Sequence, residues 1–253
     1  MKKFLSIALA VLFAGNAMAL DNVPKSGLTW VGFGGMTVSN LKGETLNPKV
    51  GVTFGMKMEY MLPNAYGTYF NAGIDWTQKG ARWTGPVTFG DGKTENLTEK
   101  LQAHYLELPI HVGFRYNISK KFGIYAEVGP YFAFGVTGKY KYKPESDLRP
   151  DQSEMTFGKN VERFLPTYYP SGLPDSDPLG LEKKENAIQR FDCGFGFRVG
   201  AEFKNMYSLN VGYDWGFTDM YTDKFRTSWA KLYPGQLAKM KNHSLNITVG
   251  YRF

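Results

Sequence analysis

The final stretch, HSLNITVGYRF at positions 243–253, alternates without interruption. Leu245, Ile247, Val249, Tyr251 and Phe253 share one parity. Ser244, Asn246, Thr248, Gly250 and Arg252 share the other. Successive side chains of a β-strand point to opposite faces. This segment therefore reads as a strand with one wholly apolar face and one polar face that carries an arginine.

The same two-faced pattern recurs upstream. Positions 50–62 set Val50, Val52, Phe54, Met56, Met58 and Tyr60 against Gly51, Thr53, Gly55, Lys57 and Glu59. Positions 67–79 set Phe70, Ala72, Ile74 and Trp76 against Asn71, Gly73, Asp75 and Thr77. Further strands are expected over 103–116, 122–136, 191–203 and 207–218, and a Gly-rich first strand over 28–38. That makes eight strands. The connections between them alternate in length. Those at 63–66, 117–121 and 204–206 are short, and those at 40–49, 80–102, 137–190 and 219–242 are long. Short turns at one end and long loops at the other are the rhythm of an up-and-down outer-membrane barrel. The 137–190 connection carries six of the thirteen prolines and is read as a long outer loop.

The chain opens with a secretory signal: Lys2 and Lys3, an apolar run from Phe4 to Ala14, and small residues at Ala17-Met18-Ala19. Residues 1–19 are expected to be cleaved, leaving 20–253 as one barrel domain. Without Lys2 and Lys3 the formal charge of +7 becomes +5, too mild and too dispersed to indicate a nucleic-acid partner. The single cysteine, Cys193, cannot form an internal disulfide, so this exported chain must be held by its core or its solvent. Mean hydropathy is −0.34, and no later segment approaches the length of an apolar spanning helix. Aromatic residues make up 16%, and there are 29 glycines, which suits many short strands with Gly-rich bends.

An alternating all-β pattern also fits a soluble barrel that hides its apolar face. The charges decide against it. The polar faces carry Lys57, Glu59, Asp75, Glu107, His111, Arg115, Glu127, Asp192, Arg198, Glu202, Asp214 and Arg252, with many glycines between them. Acids and bases at matched depths suit mutual pairing in a narrow lumen. The apolar faces end in aromatics, with Tyr60, Tyr116, Phe122, Phe203 and Tyr207 near the short turns and Trp76, Trp215 and Phe217 toward the long loops. Two such belts are expected where rings meet headgroups. The reading is thus an all-β, eight-stranded antiparallel transmembrane barrel in the bacterial outer membrane, with both termini periplasmic. Eight strands leave an interior that side chains can fill, so a salt-bridged plug is expected in place of a pore.

Tyr105-Leu106-Glu107-Leu108-Pro109, Gly129-Pro130-Tyr131, Phe191-Asp192 with Gly194 and Gly196, Gly212-Tyr213 with Gly216, and Tyr251-Arg252-Phe253 together resemble the porin-like, PorT-type outer-membrane β-barrel family of Bacteroidota. The opening stretch from Gly34 to Leu41 is similar to that family's first strand. The resemblance implies the barrel fold and, through the family's namesake, a link to secretion of exported proteins. It carries over no catalytic residue. Tyr251 and Phe253 resemble the terminal signal read by the barrel-insertion machinery.

No cofactor or metal site is expected, since metal-ligand residues do not cluster. By parity His104 and His243 point outward near the long-loop rim, as interfacial residues or, on the alternative reading, as parts of a lipid-modifying enzyme. Such an enzyme would need a serine and an orienting acid beside one of them, and the nearest outward polar residues are Gln78 and Gln102. His111, with Glu107 and Arg115, belongs to the plug. The fourth long loop carries Lys224, Arg226, Lys231, Lys239 and Lys241, and is read either as a solvated loop or as a contact for lipopolysaccharide phosphates. Function is expected to reside in a structural or binding role of the outer loops without enzymatic activity. The alternatives are an accessory part in secretion across the outer membrane, through an extracellular or secretion-system partner, and lipid modification.

Overall fold

The computed structural model describes residues 26–42, 46–63, 65–88, 93–145, 152–155, 157, 188–223, 226–227, 230 and 239–253. The expected signal peptide and most of the 137–190 connection lie outside the described residues. The strands are β1 (Gly27–Lys42), β2 (Asn47–Met61), β3 (Thr68–Thr88), β4 (Thr94–Asn117), β5 (Phe122–Pro144), β6 (Gln152–Met155), β7 (Phe191–Phe203), β8 (Tyr207–Gly216) and β9 (Lys241–Arg252). Eight of them close an antiparallel ring in the order β1-β2-β3-β4-β5-β7-β8-β9, and β9 pairs back onto β1. Closure leaves no edge within the ring, which hydrocarbon demands because it offers no partner to a free N–H or C=O. The ninth strand, β6, is short and pairs only with the far end of β5.

All three short turns are where the alternation places them. At Lys204 and Asn205, φ is +54° and +55°, and Met206 N donates to Phe203 O at 3.1 Å. Two successive positive φ values under this bond make a tight turn within the three-residue connection between the paired residues Phe203 and Tyr207.

The apolar faces look outward. Val249, Ile74, Phe54, Leu209 and Ile247 are all exposed on the barrel wall, Val249 by 62%. The polar faces look inward, and Thr37, Glu59, Glu127 and Asp214 are among the most deeply buried side chains of the molecule.

The structure corrects the sequence reading at the loop end. The expected 80–102 loop is largely a hairpin formed by the continuation of β3 and β4, and β5 runs on past residue 136 to Pro144. At 24 residues, β4 is more than twice as long as the roughly 9–11 residues a membrane strand needs. The physical reason is an inversion of pattern. Along β4 the outward residues Ile110, Leu108 and Leu106 give way to His104, Gln102 and Lys100, while the inward row passes from His111 and Glu107 to Tyr105, Ala103, Leu101 and Leu97. Past the lipid boundary the strand meets water outside and packs apolar residues inside. An alternation that changes sign reads as the end of a strand, although the β3–β4 ladder runs straight through and the β4–β5 ladder continues past a register shift at His104/Tyr105.

The inverted segment surrounds an apolar core. Leu41, Ala81, Leu101, Ala103, Tyr105, Tyr131 and Ala133 from the strands enclose Phe157, Ile188, Met220 and Met240 from the connections. Backbone bonds strap these connections across the mouth: Gln189 N to Met220 O at 2.8 Å, Met220 N to Met240 O at 2.7 Å, and Gly135 N to Arg190 O at 2.7 Å.

Nitroxide labels test the inversion. Labels at positions 209, 211 and 247 should be relaxed by bilayer oxygen. Along β4, a label at position 100 should be relaxed by a water-soluble nickel chelate and one at 101 by neither reagent. Strong nickel relaxation at 101 would contradict the packed mouth.

Candidate functional site: the charged interior

Every residue expected in the lumen points inward, and the ring brings them together in tiers. At the short-turn end Glu59 is the hub. Its Oε2 accepts from Arg115 Nη2 at 2.6 Å and Arg252 Nη2 at 2.7 Å, and its Oε1 lies 3.0 Å from Lys57 Nζ. Glu202 binds the same two guanidinium groups, at 3.0 Å for Arg115 and 2.6 Å for Arg252. Arg252 sits one residue before the C-terminus and Glu59 near the end of β2, so this tier ties β9 to β2 across β1.

In the next tier Glu127 Oε1 accepts from Lys57 Nζ at 2.6 Å and from Tyr69 OH at 2.7 Å. Arg198 Nη1 donates to the His111 ring at 2.9 Å, and Arg198 Nη2 is 3.6 Å from Asp214 Oδ1. Asn246 Nδ2 donates to Asp214 Oδ2 at 2.6 Å. Gly196 leaves room for this group, since a Cβ there would lie 2.6 Å from Asp214 Oδ1 and push that side chain aside.

Farther toward the loops, Lys79 Nζ reaches Glu107 Oε1 at 2.6 Å and Asp192 Oδ2 at 3.5 Å, and lies 4.4 Å above the Tyr131 ring. Sequence reasoning missed Lys79. It shares the parity of Asp75 and Thr77, which was the available signal, but it stands where the outward face loses its apolar character. The lumen tyrosines were also undervalued. Tyr69 lies under the Arg115 guanidinium at 4.6 Å, and Tyr131 OH donates to Asp192 Oδ2 at 3.4 Å.

Asp75 is the exception. It is buried and, alone among the described lumen carboxylates, forms no ion pair. Its Oδ1 accepts no hydrogen bond. It lines two internal cavities of about 20 and 30 Å³, each with room for a water or two.

The rim histidines are outward and have partners. His104 Nε2 is 3.1 Å from Gln102 Nε2, with its ring 5.5 Å from that of Trp76. His243 Nδ1 is 3.0 Å from Tyr213 OH. Cys193 is half-buried against Thr218 Oγ1 at 3.4 Å. The expected basic fourth loop is altered as well. Arg226 forms an ion pair with Asp219, which removes one of its charges, while Lys224 and Lys231 lie outside the described residues. At the C-terminus Phe253 is exposed, stacked edge-on to Tyr251 at 5.2 Å and bonded through its N–H to Trp30 O at 2.9 Å. No group of three or more His, Cys, Asp or Glu residues suited to a metal occurs among the described residues.

The family described as "Outer membrane protein beta-barrel domain" matches residues 13–222. The chain belongs to that family. Its place is the bacterial outer membrane. Among solved structures, the barrel is similar to OprG of Pseudomonas aeruginosa, at 10% identity with 90% of this chain and 97% of that one covered and a TM-score of 0.42. It is also similar to Ail, the attachment invasion locus protein of Yersinia pestis, in complex with the heparin analogue sucrose octasulfate. There the identity is 13%, the coverage 89% and 99%, and the TM-score 0.36. Neisserial surface protein A gives 10% identity, 90% and 99% coverage, and a TM-score of 0.37. No curated protein matches the sequence.

Two substitutions separate paired from unpaired interior charge. Glu59→Gln leaves Arg115 and Arg252 short of a partner and should cost about 3–5 kcal/mol, read by urea titration in lipid vesicles. Asp75→Asn removes a buried carboxylate with no cation of its own and should leave stability unchanged within about 1 kcal/mol or raise it. Equal losses for both would show that the ion pairs are not what matters.

Proposed function

We propose that this barrel is a non-enzymatic structural or binding protein of the outer membrane, closed to solutes, which acts through the assembly at its loop end and keeps both termini in the periplasm. The observation that carries the reading is the double closure along the axis. Paired charges fill the membrane-level interior, and the apolar core around Phe157, Ile188, Met220 and Met240 fills the mouth. Either layer alone would obstruct ions, and the two cavities lined by Asp75, of about 20 and 30 Å³, are water-sized. Against an enzymatic role stands the setting of the rim histidines His104 and His243, whose described partners Gln102 and Tyr213 are neither the serine nor the orienting acid such an enzyme would need. An accessory part in secretion is supported by the PorT-type resemblance alone, and comparison of the secreted proteome with and without the gene tests it.

Planar bilayers containing the refolded protein should stay at baseline conductance under moderate voltage. Steady, ohmic channel steps would overturn the closed interior. In intact cells a cysteine-reactive, membrane-impermeant reagent should label an introduced cysteine at position 93 and leave one at 119 unlabelled. The reverse pattern would invert the orientation.

A further inference from the structure

The outward face of the β3–β5 hairpins changes character in steps, and the ladder register shows how. Trp76, Leu106 and Phe134 form one cross-strand row on the lipid wall. The next row toward the loops is Gln78, His104 and Thr137, and then come Gly80, Gln102 and Lys139. The row above that is Arg82, Lys100 and Lys141, three cations that are direct cross-strand partners, and above it lie Thr84, Thr98 and Lys143. Lys49 joins from β2. Its Nζ donates to Gln102 Oε1 at 2.9 Å, and it lies within electrostatic reach of Lys100 and Lys141.

No carboxylate occupies these rows. The neighbouring Glu99 has the opposite parity and pairs across to Trp83 on the inner side, and the first outward acid is Glu145, at the far tip against Asn96. Arg82, Lys100, Lys139 and Lys141 form no ion pair among the described residues, and all four are exposed. Like charges placed directly opposite one another in a sheet repel. A strand pair meant only for water would intersperse both signs. Here three cations are lined up with nothing to offset them, on a wall continuous with the lipid-facing surface.

We infer that the outward face of the β3–β5 extension, centred on Lys49, Arg82, Lys100, Lys139 and Lys141, is a binding site for a phosphorylated glycolipid of the outer leaflet. The inference rests on the proposed orientation, with the loop end outside the cell. Position and height both select this occupant. The site begins directly above an apolar wall whose boundary carries Trp76 and His104, so the ligand's acyl chains have a surface to lie on. The cations occupy successive rows over about 13 Å of strand, at roughly 3.3 Å per residue from Gln102 to Thr98. That is taller than a single phosphate layer and suits a sugar headgroup bearing several anions. Lysine and arginine bind phosphate oxygens through charge-assisted hydrogen bonds, and long side chains on such a wall can reach down to the boundary.

The test uses the full-length protein in detergent, read by native mass spectrometry. Bis-phosphorylated lipid A, dephosphorylated lipid A and a soluble heparin oligosaccharide are offered separately. The wild-type protein should retain bis-phosphorylated lipid A at least tenfold more than the dephosphorylated form, with little retention of the oligosaccharide. The variant with Lys100→Glu and Lys141→Glu should lose that preference. The same charge change at the opposite end, Lys120→Glu with Lys121→Glu, should keep it. If the first variant does not give a heat-modifiable barrel, Lys100→Gln with Lys141→Gln is read in its place, with a loss of at least threefold expected. Equal retention of both lipid forms, an unchanged preference in the variant, or stronger binding of the soluble polyanion would each overturn the inference. Cysteine labelling in cells reports orientation separately, so a reversed barrel and an absent site give different results.

Discussion

Hydrocarbon cannot accept or donate a hydrogen bond, and every feature of this chain follows from that restriction. The ladder must close, so β9 returns to β1 and the ring has no edge. Closing at eight strands leaves an interior that side chains can fill. Most side chains on the inner face are then buried and satisfy one another. The tiers around Glu59, Glu127 and Lys79 are the result, each a small set of acids and bases from strands distant in sequence.

Such a network specifies more than it stabilises. Burying an ion pair carries a desolvation cost that its attraction only offsets when further hydrogen bonds complete the geometry. Here tyrosines and asparagines complete it, with Tyr69 on Glu127, Asn246 on Asp214 and Asn242 on Asp192. A one-residue slip of any strand would turn its charges into lipid and its apolar side chains into the plug. The interior therefore fixes register in a solvent that would otherwise tolerate sliding. Asp75 departs from this scheme, and water-sized cavities collect beside it.

Beyond the lipid boundary the same strands obey the opposite rule. Water returns to the outside, so Arg82, Lys100 and Lys141 face out, and Ala81, Leu101 and Ala103 turn in to pack with Met220 and Met240. One continuous ladder thus serves two solvents. An ordinary hydrophobic core packs inside the loop end, and the wall around it becomes a basic surface standing on a greasy one.

Alternation in the chain was enough to determine the eight membrane strands, the short turns and the inward face with its eleven charged residues, because parity and lipid together leave one arrangement. It was also enough to place His104 and His243 outside and His111 within. Strand ends at the loop side were not legible, since periodicity marks where a pattern changes sign and cannot show that the hydrogen-bonded ladder continues through the change. Nor could parity tell that Lys79 lies between Glu107 and Asp192, that Asp75 forms no ion pair, or that Arg82, Lys100 and Lys141 stand side by side. Those depend on the register between strands, which only the closed tertiary structure sets, because the ladder's stagger decides which residues share a height.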